Sequence, residues 1–322
     1  MASSAMAPGG NLAAYVAGRP VLLCYSGGKD SGACALALRD AGVPFTAVFS
    51  DTGWESSVLY DYLLKTSPRL IGDLVTVRAV VDLQPDAAAL AAMYEARLGL
   101  DYSPMVRLII KKGLLPSRGR KWCTDLLKIQ PMADYIAEMD EEPLVVTGVR
   151  ASESARRSLL GVEEYSSRYE CDIWRPILHW TEEDVIEAHR LAGIPPCPLY
   201  LNGNHHVRRV GCWPCINTQK AELRAIAETD PERIRIVADL EAISTAAIAA
   251  RAAKRGEGLD YPVIGWFHGR ADSATKGEGY APMPVSRAVE WSSTTRGGRQ
   301  LGMFAPSGGG CVRWGMCEVL DA

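Results

Sequence analysis

The sequence of 322 residues has little excess of either charge, no long apolar run and no internal repeat. Its 35 Lys and Arg residues against 38 Asp and Glu residues give a formal net charge of −3, which excludes a uniformly basic coat for nucleic acid but not local basic patches. No apolar run is long enough to cross a membrane, and residues 1–10 lack the basic and apolar regions of a signal peptide. We therefore expect a cytoplasmic protein without membrane contact.

Cysteine is the residue type whose abundance calls for an explanation. The nine cysteines occupy positions 24, 34, 123, 171, 197, 212, 215, 311 and 317. In a reducing compartment they favour metal, cluster or thiol chemistry over a disulfide framework. Cys24 and Cys34 fall within apolar periodic segments, so we expect these two to be buried packing residues.

A strand, a glycine turn and the start of a helix follow one another near the amino end. Apolar residues 21–25 lead into the hexapeptide Ser-Gly-Gly-Lys-Asp-Ser, which precedes a helix-like segment at 32–38. Such a turn presents unpaired backbone N–H groups at the positive end of a helix dipole, which favours phosphate binding. It is not a Walker A loop, because position 23 is leucine and Asp30 follows Lys29. The predicted phosphate ligands are Ser26, Gly27, Gly28, Lys29, Asp30 and Ser31.

Strand-like and helix-like segments alternate along the next part of the chain. Apolar segments at residues 45–50, 74–81 and 144–148 are predicted strands, and the helical stretches between them are 86–97, 105–112 and 124–139, the last capped by Thr124. This alternation predicts an α/β fold with a doubly wound, mostly parallel sheet. An acidic first turn at 181–184 and the pair Asp230-Pro231 predict two further helices, the second running to about Lys254.

The hexapeptide resembles the pyrophosphate loop (PP-loop) of the ATP-pyrophosphatase superfamily, whose members cleave or bind a nucleotide between its α- and β-phosphates. Six further segments resemble the phosphoadenylyl-sulfate reductase branch of that superfamily and occur in its order: residues 51–55, 121–131, 148–156, 174–185, 197–200 and 211–215. The similarity covers about residues 19–220. It implies an adenine nucleotide α-hydrolase-like fold, and it adds these expected nucleotide ligands: Asp51, Thr52, Gly148, Arg150 and Arg156.

The resemblance also divides the chain. We expect an N-terminal segment at 1–18, the reductase-like domain at 19–220, a helical segment at 221–254 and an extension at 255–322. The extension holds 13 of the 30 glycines and shows little helical periodicity. It is therefore predicted to be rich in loops and ordered by ligands or by the main domain.

The nucleotide implied by the resemblance is ATP or an adenylyl sulfate. In an adenylating mechanism the loop amides and Lys29 would stabilise the charge on the leaving pyrophosphate of ATP. Asp30 or Asp51 would hold a Mg²⁺ ion, although Asp30 would alternatively only fix the loop. Lys29, Asp30 and Asp51 are the predicted catalytic residues.

Four cysteines are candidate ligands of a metal centre. Cys212 and Cys215 are two residues apart, a spacing that presents two thiolates to one centre, and Cys123 matches the family's earlier cysteine motif. The family's cluster-bearing reductases carry a Cys-Cys pair there, whereas this chain has Trp122-Cys123, so Cys197 is the candidate replacement. Four such thiolates suit a four-iron four-sulfur (4Fe-4S) cluster, with zinc as the second choice. A redox pair or a turn within the core is the alternative for Cys212 and Cys215.

Between residues 107 and 121 lie six basic residues and no acidic one. The stretch is either a solvated surface, the usual state of a run of charges, or a contact for an anionic partner. That partner would be the nucleotide phosphates or a nucleic-acid backbone.

Three enzymatic functions and one non-catalytic function fit these features. The first is sulfur transfer, in which ATP adenylates a target such as nucleic acid and a sulfur-donor protein supplies sulfur; bacterial DNA phosphorothioation enzymes are the nearest parallel, and residues 291–300 resemble their extensions. The second is a sulfonucleotide reductase, although the Glu-Cys-Gly tail of such enzymes is replaced by a segment with Cys311 and Cys317. The others are the adenylyltransferase subunit of an ATP sulfurylase and a non-catalytic nucleotide-binding subunit of an oligomer or larger complex.

Overall fold

The computed structural model describes residues 15–16, 18–201, 207, 209–256, 265–270 and 280–294. Six strands form the main sheet: β1 (Val21–Cys24), β2 (Thr46–Ser50), β3 (Leu74–Val77), β4 (Leu144–Thr147), β5 (Glu163–Ser166) and β6 (Cys171–Trp174). Their order is β3-β2-β1-β4-β6-β5, and all pairs are parallel except β5 with β6 at one edge. The predicted α/β fold with a doubly wound, mostly parallel sheet is confirmed.

Helices separate most of the strands. They are α1 (Lys29–Asp40), α2 (Ser57–Lys65), α3 (Pro68–Ile71), α4 (Pro85–Arg97), α5 (Pro104–Lys112), α6 (Trp122–Thr124), α7 (Gln130–Ala137), α8 (Glu182–Ala192), α9 (Lys220–Thr229), α10 (Pro231–Lys254) and α11 (Val285–Ser292). A π-helical turn, Asp125–Ile129, joins α6 to α7, and short 3₁₀ turns lie at Ala151–Glu153, Arg157–Leu159 and Pro198–Tyr200. Among the described residues, no helix has both the length and the hydropathy that a membrane span requires.

Both faces of the sheet are buried, as the alternation of side chains in β1 shows. Leu23 packs in a hydrophobic cluster with α1, α2 and α8, whereas its neighbour Leu22 packs on the opposite face with Met132 and Ile136 of α7. A strand covered by helices on both faces is apolar at nearly every position, which is why the sequence pattern found it.

A further hydrophobic cluster lies beside the sheet, and the described part of the extension belongs to it. Residues from α4, α5, α9 and α10 pack there with Trp266, Phe267 and Val285. The last three flank or belong to two antiparallel strands, β7 (Phe267–Arg270) and β8 (Tyr280–Met283), and to α11. The expectation of a loop-rich segment therefore needs correction here, because residues 265–270 and 280–294 form strands and a helix on a buried core.

One predicted helix start is corrected by the structure and another is confirmed. The helix expected at 124–139 begins at Trp122, so Thr124 lies inside it and does not cap it. The cap residue is Lys121, which makes no side-chain cap bond. In contrast, a helix does begin at 181–184 as predicted, and the Thr181 side chain caps this helix, α8, by accepting the Asp184 N–H at 3.1 Å.

Candidate nucleotide and thiol site

The carboxyl ends of three neighbouring strands carry the predicted nucleotide ligands. The loop at 26–31 follows β1, residues 51–55 follow β2 and residues 148–156 follow β4. Because the chain continues from β1 to β2 on one side while β4 lies on the other, the crevice between β1 and β4 is a point where the strand order reverses. Open α/β sheets bind their ligands at such crevices.

The glycine loop owes its shape to local contacts. Gly27 has φ +69°, and a Cβ at this position would lie 2.6 Å from Leu59 Cδ1, so a larger residue would be both strained and crowded. The Ser31 hydroxyl donates to the Gly28 carbonyl at 3.0 Å and accepts the Ser26 N–H at 3.2 Å. These two bonds close the loop at the start of α1.

The first turn of α1 presents backbone N–H groups to the crevice edge. Its cap residue, Gly28, has no side chain to accept hydrogen bonds from that turn. The Lys29 N–H donates to the Tyr200 hydroxyl at 3.3 Å, and the Lys29 carbonyl lies 2.9 Å from His189 Nε2. A helix start of this kind, anchored from α8 and from the 198–200 turn, is suited to an anion such as a phosphate.

Three predicted ligands form a chain of charges beside that helix start. Asp30 accepts from Arg150 Nε at 2.6 Å and lies 3.3 Å from Lys29 Nζ. Lys29 and Arg150 side chains are each 7% exposed, so the chain of charges is largely screened from solvent. Gly148 permits the close approach of β4, because a Cβ there would lie 2.8 Å from the Ser31 backbone nitrogen. Asp30 thus lies between two cations, and its role, as a Mg²⁺ ligand or only as a support of the loop, stays a prediction.

Both oxygens of Asp51 are occupied. The carboxylate accepts from the Gly53 N–H at 2.8 Å, from the Tyr60 hydroxyl at 2.7 Å and from Arg78 Nε at 2.6 Å. These bonds stabilise the turn after β2, and Thr52 supports the same turn by donating to Glu55 at 2.8 Å. In contrast, the predicted ligand Arg156 is exposed on the segment after β4.

The turn at 212–215 packs on the loop after β2. Glu55 and Cys212 form an isolated antiparallel bridge, and the Trp213 N–H donates to the Trp54 carbonyl at 2.8 Å. The Trp54 indole N–H donates back to the Pro214 carbonyl at 3.0 Å. One predicted thiol turn is thereby fixed against one predicted nucleotide loop, although about 160 residues separate them in the sequence.

Sequence patterns assigned no role to two charged residues beside the thiols, Glu55 and Lys128. Glu55 is 1% exposed, and its Oε1 lies 3.9 Å from the Cys212 sulfur. Burial raises the pKa of Glu55, and the nearby Lys128 opposes this shift. Burial likewise raises the pKa of the Cys212 thiol to about 12, again opposed by Lys128. Burial thus favours the neutral form of this thiol, and the half-buried Lys128 beside it favours the thiolate.

Three of the four predicted cluster ligands share one hydrophobic cluster. Cys123, Cys212 and Cys215 all contribute to the cluster that contains Trp54 and Trp266. Cys197 lies in the other cluster, on the α1 side of the sheet, where burial raises the pKa of its thiol to about 12. Across the described part of the chain, no group of three or more His, Cys, Asp or Glu side chains is arranged to hold a metal ion. Among the described residues no group is therefore arranged for a single zinc or Mg²⁺ ion, whereas the 4Fe-4S cluster and its ligand set stay a prediction.

The basic stretch at 107–121 divides into a paired and an unpaired part. Arg107 forms two hydrogen bonds with the buried Glu95, at 2.7 and 3.0 Å. Arg118, Arg120 and Lys121 are exposed, and within the described ranges no carboxylate pairs with them. Arg118 Nε also lies 3.4 Å from the Ile216 carbonyl, which places this turn next to the 212–215 turn. Cys311, Cys317 and residues 295–300 lie outside the described residues.

The chain is similar in sequence and in structure to known proteins. The family model for the phosphoadenosine phosphosulfate reductase domain matches residues 20–218. An uncharacterized 37.8 kDa protein from the gpa 5′ region of Escherichia phage 186 is 31% identical over 333 residues, covering 92% of this chain and 96% of that protein. The adenosine 5′-phosphosulfate reductase of Neisseria meningitidis serogroup A is 32% identical over 102 residues, covering 32% of this chain and 39% of the reductase. The phosphoadenylyl-sulfate reductase structure from Candida auris, a phosphate complex, aligns with TM-score 0.43 and 16% identity over 62% of this chain and 84% of that one.

Proposed function

The chain belongs to the phosphoadenosine phosphosulfate reductase domain family, and on that basis we propose that it is an enzyme acting on an adenine nucleotide. The observation that carries this proposal is the glycine loop at the reversal of strand order, with Lys29 and Arg150 held beside it through Asp30. Phosphates of ATP or of an adenylyl sulfate would bind the first-turn N–H groups of α1. Lys29 would then stabilise the charge that develops on the leaving group.

The proposed reaction is sulfur transfer in the ATP-pyrophosphatase manner. ATP would adenylate an oxygen of the target with release of pyrophosphate. Hydrosulfide released by a donor protein would then form a bond to the same target atom, while the bond from that atom to the adenylated oxygen breaks and AMP leaves with the oxygen. The support is the contact between the loop after β2 and the 212–215 turn, which brings thiols next to a nucleotide loop. Because no group of described donors is arranged to hold a metal ion, no step of this reaction is assigned to iron–sulfur, zinc or magnesium.

A nucleic-acid target is supported by the exposed turn that carries Arg118, Arg120 and Lys121. These cations lie next to the 212–215 turn, where a phosphodiester backbone would be attracted by their charge. Such binding would weaken steeply with salt, which distinguishes it from the binding of a small nucleotide in a crevice.

A sulfonucleotide reductase is the second candidate. It is favoured by the similarity to a relative named adenosine 5′-phosphosulfate reductase. The chain spans 39% of that relative's length, so the reaction of the whole relative stays a proposal for this chain. A non-catalytic nucleotide-binding subunit is the remaining alternative.

One assay separates the three functions. The full-length protein, purified without oxygen, is incubated either with ATP, Mg²⁺ and DNA or with an adenylyl sulfate and reduced thioredoxin. Release of pyrophosphate that increases with DNA supports sulfur transfer, whereas sulfite supports the reductase; neither product with retained nucleotide binding supports the non-catalytic subunit. Lys29→Ala should abolish either product, and Lys65→Ala, an exposed lysine of α2, is the matched control. Iron and acid-labile sulfide in the purified protein would show that the thiols rearrange around a cluster.

A further inference from the structure

One buried carboxylate fixes the described part of the extension to the rest of the molecule. Glu241 of α10 is 5% exposed. Its Oε1 accepts the Trp266 N–H at 2.6 Å and the Val285 N–H at 3.0 Å, and its Oε2 also lies 3.0 Å from the Val285 nitrogen. The segment before β7 and the start of α11 therefore converge on one side chain. Two backbone amides from different segments thus donate to one buried acceptor on α10.

Docking of this segment places Trp266 on Trp54. The two indole rings are stacked, with centroids 5.2 Å apart and an interplanar angle of 26°. Neither residue is more than 1% exposed. Because Trp54 belongs to the loop after β2, the extension packs directly on a predicted nucleotide loop.

Trp54 in turn holds the thiol turn in place. Its indole N–H donates to the Pro214 carbonyl, and its own carbonyl accepts the Trp213 N–H. Trp213 and Pro214 are the two residues between Cys212 and Cys215. A continuous set of buried contacts thus leads from the Glu241 carboxylate through the paired indoles to the thiols.

We propose that Glu241 and Trp266 are positioning residues for the thiol site. By docking residues 265–270 and 280–294 they hold Trp54, and through Trp54 they hold the 212–215 turn against the loop after β2. This inference rests on the proposed function, since it gives the extension a part in the site where sulfur would be transferred. The extension is then a structural component of that site.

The test measures how fast each cysteine of the full-length protein reacts with iodoacetamide, by mass spectrometry of its peptides. Glu241→Ala and Trp266→Leu should each raise the alkylation rates of Cys212 and Cys215 roughly tenfold or more, because loss of buried hydrogen bonds or packing favours local opening. Glu241→Gln keeps an oxygen that accepts from both amides, so it should restore slow alkylation. Glu290→Ala, a loss of an exposed carboxylate on α11, should leave the rates unchanged.

Unchanged alkylation rates of both thiols in Glu241→Ala and Trp266→Leu would overturn the proposal, since docking of the extension would then not hold the 212–215 turn in place. The buried Cys34 in the α1 cluster reports general unfolding. If Cys34 also reacts faster in those variants, general unfolding contributes to the change. Trp266→Phe is then measured in their place, because it keeps an aromatic ring at that position. Faster alkylation confined to Cys212 and Cys215 supports the proposal, and wild-type rates contradict it. Since the assay needs neither nucleotide nor turnover, failure of the proposed function would leave its result unaffected.

Discussion

The buried ion pair between Arg150 and Asp30 makes a sharp prediction for stability. Arg150→Ala would leave the Asp30 carboxylate, whose side chain is 18% exposed, with Lys29 at 3.3 Å as its remaining cation. Breaking a buried pair by removing one partner costs about 3–5 kcal/mol. Because Asp30 keeps Lys29, we expect a loss near the lower end, about 3 kcal/mol.

Urea denaturation measures this loss. With a slope of about 3 kcal/mol per M for a protein of this size, the midpoint should fall by about 1 M. Arg168→Ala is the matched control, because Arg168 pairs with Asp125 at 3.2 Å while both side chains are at least half exposed. An exposed pair contributes at most about 1 kcal/mol, so its midpoint should fall by no more than about 0.3 M. Equal shifts in the two variants would refute the view that the Asp30–Arg150 pair holds the phosphate loop to β4.

Three further predictions concern the loop, its support and the extension. Gly27→Ala should abolish nucleotide binding measured by calorimetry, because φ +69° strains alanine and its Cβ would crowd Leu59; wild-type affinity would contradict this. Burial lowers the pKa of His189, so the unfolded chain binds the extra proton and the free energy of unfolding should fall as pH drops below about 6.5. If the urea midpoint changes no more between pH 7.5 and 5.5 than it does in His189→Gln, this prediction is wrong. Burial raises the pKa of Glu241 to about 7, so the folded protein binds the extra proton and stability should fall as pH rises from about 4.5 to 7; Glu241→Gln should remove that part of the slope.

Local patterns in the sequence predicted much of the fold and the loop. The apolar run at 21–25 and the glycine turn after it are features of adjacent residues, and β1, the loop and α1 form where they indicate. The helix start at 181–184 was predictable for the same reason. Strand β6 escaped detection because it has four residues and runs directly into Arg175-Pro176.

Contacts between distant segments were beyond the sequence patterns. Glu55 meets Cys212 only because the loop after β2 and the 212–215 turn share one edge of the fold. Cys197 was assigned by elimination, and its burial in the α1 cluster depends on packing that spacing does not encode. The two strands of the extension were obscured by Gly269 and Pro282, residue types that usually indicate loops.

The central claim is that the glycine loop and Lys29 bind the phosphates of an adenine nucleotide. Isothermal titration calorimetry of the full-length protein with ATP, ADP and an adenylyl sulfate tests it most directly. We predict that at least one of these ligands binds, that Lys29→Ala weakens its affinity roughly tenfold or more, and that Lys65→Ala leaves it unchanged. Folded protein with no affinity for any of the three, or equal affinity in Lys29→Ala, would contradict the claim.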